Sequence, residues 1–225
     1  MDSGPPSRGR FLVLEGIDGC GKTTQLSALA DWLPGSGLMP EGAALLLTRE
    51  PGGTPLGRAL RELLLHSSGD QAPCSTAELL LYAADRAQHV ATTIVPALER
   101  GDWVLSDRFA GSTAAYQGHG RGLPLALINQ LETIATGGLK PDLTLWLELP
   151  LPLALERRSA RAADRIEAAG EPFLARVAHG FQTLADERRW CTIAADQPPE
   201  AVTAALRQAL HAAAASWQAG AGGER

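Results

Sequence analysis

The chain has 225 residues, 45% of them hydrophobic and 20% charged, with a formal net charge of -5. That balance describes a globular chain able to bury a core, organised as one large domain or two small ones, and it speaks against a general binder of polymeric nucleic acid or of membrane surfaces. The basic residues are lopsided, 18 Arg against only Lys22 and Lys140, and Arg is the residue suited to bidentate capture of phosphate.

In chain order, residues 11–14 form a short apolar run that predicts a buried strand. Residues 23–33 read as a helix closed by Pro34, Gly35 and Gly37. Residues 43–48 predict a second strand and 56–65 an amphipathic helix. Residues 75–100 carry a long helical pattern stopped by Gly101, with Pro96 marking a kink. A third strand is expected at 103–106, a mobile glycine-rich loop containing Arg121 at 118–122, and a helix at 125–135 ending at Gly137 and Gly138. A fourth strand at 143–149 is followed by helical patterns at 152–163 and 171–188. A short fifth strand at 191–194 precedes an Ala-rich helix from 199 to 217. Flexible tails are expected at about 1–9 and 219–225.

Apolar strands alternating with helices imply βαβ units and a parallel sheet covered on both faces. The expectation is one α/β domain over residues 1–225: a five-stranded parallel sheet flanked by helices. Cys20, Cys74 and Cys191 are too few and oddly numbered for a disulfide framework, and neither Cys nor His shows metal-ligand spacing. A reducing, cytoplasmic setting is expected. The apolar run at 11–14 is too short for a signal peptide or a membrane span.

The strongest motif is Gly16-Ile17-Asp18-Gly19-Cys20-Gly21-Lys22-Thr23, a full match to G-x-x-x-x-G-K-[ST] lying between a predicted strand and a predicted helix. Its glycines let backbone N–H groups converge on phosphate oxygens, and the following helix N-terminus adds partial positive charge. Lys22 is placed to reach the terminal phosphates and Thr23 to hold Mg²⁺, with Thr24 beside it in the first helical turn. This is the loop of the P-loop NTPase fold. The only Asn, Asn129, precedes Gln130, so the Asn-Lys base-reading loop of GTPases is absent from the sequence.

Other polar groups cluster at predicted strand ends. Arg49, in Thr48-Arg49-Glu50-Pro51-Gly52-Gly53-Thr54, follows the second strand, where α/β sheets bind ligands. It reads equally as a phosphate grip or as an exposed turn residue. Tyr82, Asp85, Arg86 and His89 share one helix face. That face suits stacking on a base, but taken alone it more often means a core Tyr with a surface Arg–Asp pair; His89 reads as structural. Asp107 and Arg108 end the third strand, where an Asp can hold Mg²⁺ and an Arg can face two phosphates. Thr113, Tyr116 and Gln117 supply polar groups for a sugar or base pocket. Arg157, Arg161 and Arg165, with Arg158 among them, would align on one face if helical; beside a P-loop this cluster reads as an Arg-rich lid at about 157–170.

Together these segments, in this order from residue 11 to about 210, resemble the bacterial thymidylate kinases, which phosphorylate dTMP with ATP. The resemblance implies that residues 16–24 hold ATP with Mg²⁺ and that Asp18 binds the deoxyribose 3′-hydroxyl. It implies that Arg49 and Arg108 hold the acceptor phosphate beside Pro51 and that Tyr82 stacks on thymine. Arg86, Thr113 and Gln117 would read the base edge, and Tyr116 would disfavour a 2′-hydroxyl. It further implies a cis Glu50–Pro51 bond, a homodimer, and a catalytic Arg supplied by the lid, since Gly19 stands where a subtype of the family has Arg in the loop. The stretch between Arg157 and Asp164 is a residue or two shorter than is usual in the family, which leaves the catalytic contact open among Arg157, Arg158 and Arg161.

Overall fold

A computed structural model describes residues 8–158 and 164–221. Five strands, β1 (Phe11–Glu15), β2 (Leu45–Arg49), β3 (Trp103–Asp107), β4 (Leu143–Glu148) and β5 (Cys191–Ala194), form one sheet. All its pairs are parallel and its order is β2-β3-β1-β4-β5. Every residue of β1 is buried, as a central strand covered on both faces requires. The helices are α1 (Lys22–Trp32), α2 (Pro55–His66), α3 (Ser75–His89), α4 (Val95–Glu99), α5 (Ala110–Thr113), α6 (Leu125–Thr136), α7 (Leu151–Arg158), α8 (Glu171–Arg188) and α9 (Pro199–Ala221).

The chain reverses direction across the sheet at β1, with β3 on one side and β4 on the other. That is where an open α/β sheet leaves a crevice at its carboxyl edge. The register sharpens the geometry. Leu14 lies opposite Asp107, and Asp107 opposite Arg49, so three strands end in line beside the loop that follows Glu15.

One local expectation is corrected and others are refined. Residues 118–122 are not a free loop: α5 continues as a widened π-helical turn, Ala114–Gly120, packed along α8. Gly118 and Gly120 are buried, and a Cβ on Gly120 would lie 2.6 Å from the Phe173 ring, so the glycines serve close packing rather than mobility. Of the expected helix at 152–163, α7 carries the part up to Arg158; residues 159–163, Arg161 among them, fall outside the described residues, and Arg165 lies in a turn. The long helix at 75–100 is α3 and α4 joined by a π-helical segment, Val90–Ile94, directly before Pro96. The widened turn accommodates a residue that has no N–H to give to the preceding turn. Among the described residues the Gly9 N–H donates to the Leu98 carbonyl, and α9 runs to Ala221.

Candidate active site

The phosphate loop sits between β1 and α1. Gly21 precedes the helix in the left-handed region (φ 93°), which a side-chain-bearing residue adopts only at a cost. Ile17 and Cys20 are buried beneath the loop, while Thr23 and Thr24 are exposed on the first turn of α1. Lys22 lies back along the loop, its Nζ donating to the Gly16 and Ile17 carbonyls at 2.9 and 3.1 Å. Gly19 faces α7: a Cβ there would lie 2.7 Å from the Ala154 carbonyl oxygen and 3.1 Å from Arg158 Cγ. Helix α7 therefore rests on the loop.

Arg108 adopts a left-handed backbone (φ 71°) at the end of β3, a strained conformation typical of functional positions. Its guanidinium donates to the Gly16 carbonyl, to Ser112 Oγ and, at 2.6 Å, to Asp18 Oδ1. The Tyr116 hydroxyl donates to the other Asp18 oxygen at 3.0 Å. Burial works to raise the Asp18 pKa. The Arg108 and Lys22 charges and these hydrogen bonds overcome it and hold the carboxyl well below its usual range. Glu15, at the end of β1, is buried and accepts the Phe109 and Ser112 N–H groups and the Ser112 hydroxyl, so it fixes the backbone that carries Arg108.

A cavity opens beside this pair. Asp18, Pro51, Tyr82, Arg86, Arg108, Thr113, Tyr116 and Gln117 all line it. Arg49 lies in the adjoining cleft with Thr23, Thr48, Gly52, Gly53 and Asp107. In that cleft Asp107 Oδ1 is buried and has no hydrogen-bond partner in the protein, and Thr23 is exposed close by. Such a hard-oxygen pair suits a divalent cation shared with phosphates.

The Tyr82 face of α3 is not a surface. Arg86 and Asp85 are both buried, which removes the reading of a surface Arg–Asp pair. Arg86 donates through Nε to Glu50 at 2.8 Å and through Nη2 to Thr113 at 2.9 Å. His89 bridges Glu50 and Thr48 at 2.9 and 2.6 Å. Asp85 accepts the Gly52 N–H. The Glu50–Pro51 peptide bond is cis. A Cβ on Gly53 would lie 2.6 Å from His89 Nε2, so the second glycine of the loop is needed for close approach.

A thymidylate kinase family model matches residues 14–206. The chain is 68% identical over 202 residues to the thymidylate kinase of Parasynechococcus marenigrum (strain WH8102), covering 90% of this chain and 97% of that one. It is 69% identical over 202 residues to that of Prochlorococcus marinus (strain MIT 9313), covering 90% and 94%. The crystal structure of thymidylate kinase from Ehrlichia chaffeensis superposes with a TM-score of 0.74 at 31% identity, covering 90% of this chain and 99% of that one. The chain belongs to the thymidylate kinase family.

Against that family background, the arginines of the 157–165 cluster separate. Arg157 donates to the Ala195 carbonyl at 3.1 Å, beside the loop after β5. Arg158 is buried against the phosphate loop. Arg165 turns the other way: it donates to the Leu64 carbonyl and to Glu78, at 2.8 and 2.7 Å. A buried carboxylate claims its guanidinium, and Arg165 is not among the residues that line the cavity.

Two residues of the site escape sequence reading. Arg61, on α2, lines the cavity and donates to the Pro51 carbonyl at 3.0 Å. Burial first, then the neighbouring Arg49 guanidinium, lowers its pKa from the usual value, with Arg108 adding to the effect. Three guanidiniums so close to one another call for an anion. Glu78 is the second. In the sequence it stands one helical turn before Tyr82, a spacing that places it on the same face; nothing else in the chain marks either residue.

Proposed function

We propose that the protein transfers the γ-phosphoryl group of ATP to dTMP, giving ADP and dTDP. The observation that carries this reading is the second anion pocket: Arg61 and Arg108 converge on the cavity next to a complete phosphate loop, with Arg49 beside them. An ATPase switch has no use for such a pocket.

The nucleophile is an ionised phosphate oxygen, so the reaction needs positioning and charge stabilisation rather than a strong base. Lys22 leaves its loop carbonyls for the β- and γ-phosphates. Arg49, Arg61 and Arg108 hold the acceptor phosphate, and Arg108, bonded to the Gly16 carbonyl, keeps it in register with the donor loop. Thr23 and Asp107 hold Mg²⁺, which supplies neutralisation of the phosphate charge. Among the lid arginines, Arg157 and Arg158 sit on the donor side, and Arg161 completes the set of candidates for transition-state contact. Asp18 accepts from the 3′-hydroxyl, Tyr82 stacks on thymine, Arg86, Thr113 and Gln117 face its edge, and Tyr116 crowds the 2′ position.

The test is a coupled ADP-release assay with dTMP, dUMP, UMP, dGMP and thymidine side by side. Turnover highest with dTMP and dependent on Mg²⁺ is expected. Turnover highest with thymidine or with a purine nucleotide would replace this reading with that of another kinase, and ADP release indifferent to any acceptor would replace it with an ATPase.

A homodimer completes the proposal. α3 packs between α2 and α6, and these helices leave Leu56, Leu63, Leu80, Leu127 and Ile134 exposed. A second copy of this chain is the occupant this face fits. Leu80→Glu should convert a dimer into a monomer by light scattering at micromolar concentration; a monomeric wild type would refute the interface. Among the described residues no helix is long and apolar enough to cross a membrane. The three cysteines are free, which supports a cytoplasmic setting.

A further inference from the structure

Glu78 takes no part in the phosphate chemistry, yet its carboxylate is fully withdrawn from solvent. It collects four hydrogen bonds from three side chains. Gln117 Nε2 and Arg121 Nε donate to Oε1 at 2.8 and 3.2 Å. Arg121 Nη2 and Arg165 Nη2 donate to Oε2 at 3.1 and 2.7 Å. Gln117 belongs to the π-helical turn that lines the cavity, Arg121 to its end, and Arg165 to the return from the lid. Arg165 is pinned again by its backbone N–H on the Leu65 carbonyl.

The chemistry of this cluster fixes the Gln117 amide. A carboxylate only accepts hydrogen bonds, whereas a primary amide has one donor end and one acceptor end. Gln117 must therefore turn Nε2 toward Glu78, and Oε1 is the atom it can offer to the cavity. Elsewhere in the cavity Arg86 is held by Glu50 and Thr113, and a guanidinium only donates. Gln117 thus offers an acceptor and Arg86 a donor to a base edge, with the Thr113 hydroxyl, already accepting from Arg86, beside them. The imide edge of thymine, an N3–H donor beside a carbonyl acceptor, matches this pair. The cytosine edge, an N3 acceptor beside an amino donor, opposes it at both atoms.

We propose that Glu78 is a positioning residue for acceptor-base specificity. It locks the Gln117 amide with its oxygen toward the cavity, so that an imide base is selected over cytosine, and through Arg165 it ties that lock to the root of the lid. The proposal deepens the reading of the cavity as the dTMP site and rests on it.

Glu78→Gln tests it, because a neutral amide at position 78 accepts or donates and so releases the lock. The KM for dTMP should rise about tenfold or more while kcat changes less, and the preference for dTMP over dCMP in kcat/KM should fall about tenfold or more. Glu78→Asp, still acceptor-only, should keep most of that preference. A purely structural Glu78 would lower the melting temperature and depress all acceptors alike; an unchanged dTMP/dCMP ratio in a folded Glu78→Gln variant overturns the proposal. Should that variant not fold, the wild type decides. In ¹⁵N spectra the Gln117 side-chain amide, identified by its loss in Gln117→Leu, should be protected from solvent exchange with and without dTMP; exchange at the rate of a free amide overturns the lock. A wild type inactive on dTMP overturns the function and this inference together, whereas an active wild type with unaltered discrimination in Glu78→Gln overturns this inference alone.

Discussion

The phosphate loop and the acceptor cavity lie side by side and are built by opposite means. The loop is eight consecutive residues on a strand-to-helix turn, and Lys22 bonds carbonyls only six and five residues away. The cavity draws on residues from Asp18 to Ile166. Its groups are held by pairs far apart in the chain: Arg86 with Glu50, Gln117 with Glu78, Arg108 with Asp18. The loop is a local device for gripping polyphosphate that many folds of this class share. The cavity is a tertiary construction, and Arg86 and Gln117 in it each rest on a buried carboxylate. Donor binding is therefore expected to be separable from acceptor recognition by mutation.

The largest effect should come from the loop. Lys22→Ala should lower kcat about 10³-fold or more, because the loop loses the cation placed for the terminal phosphates. Wild-type turnover in that variant would break the mechanism. Next, Arg61→Ala should raise the KM for dTMP about 10- to 100-fold by removing one charge-assisted grip, and leave the KM for ATP within a few-fold. An equal rise in both constants would erase the division between the two subsites.

The smallest effect concerns the support beneath the cavity. Burial, then the Glu50 carboxylate nearby, raises the Asp85 pKa from its ordinary 3.8 to about 6, against the Gly52 N–H, which lowers it. Asp85 Oδ2 has no hydrogen-bond partner, which fits a carboxyl that favours its proton. A raised pKa in the folded state means that the group's contribution to stability is fully present below about pH 4 and is lost as pH rises through about 6. Asp85→Asn keeps an acceptor for the Gly52 N–H and removes the titration. It should be more stable than wild type by about 1 to 2 kcal/mol at pH 8, the advantage vanishing by pH 4. Denaturant titrations at the two pH values measure this, and parallel pH profiles would show that the acceptor loop is indifferent to Asp85.

The chain by itself determined the five strands, their parallel pairing, the phosphate loop and the set of polar residues from Asp18 to Gln117. Each of these is written in local terms: apolar runs at strand length, glycines and prolines at turns, one contiguous motif. The tertiary structure decided which arginine meets which anion. Arg165 reads in the sequence like Arg157, yet Glu78 holds it outside the cavity lining, while Arg61 reads like any helix-surface cation and lines the cavity. The Gly118–Gly120 stretch reads as a loop and is instead a packed helical turn beside α8. The physical reason is the same in all three. Backbone preference and hydrophobic period act over a few residues, but the role of a charge depends on what faces it across the core. That pairing is set by elements tens of residues apart.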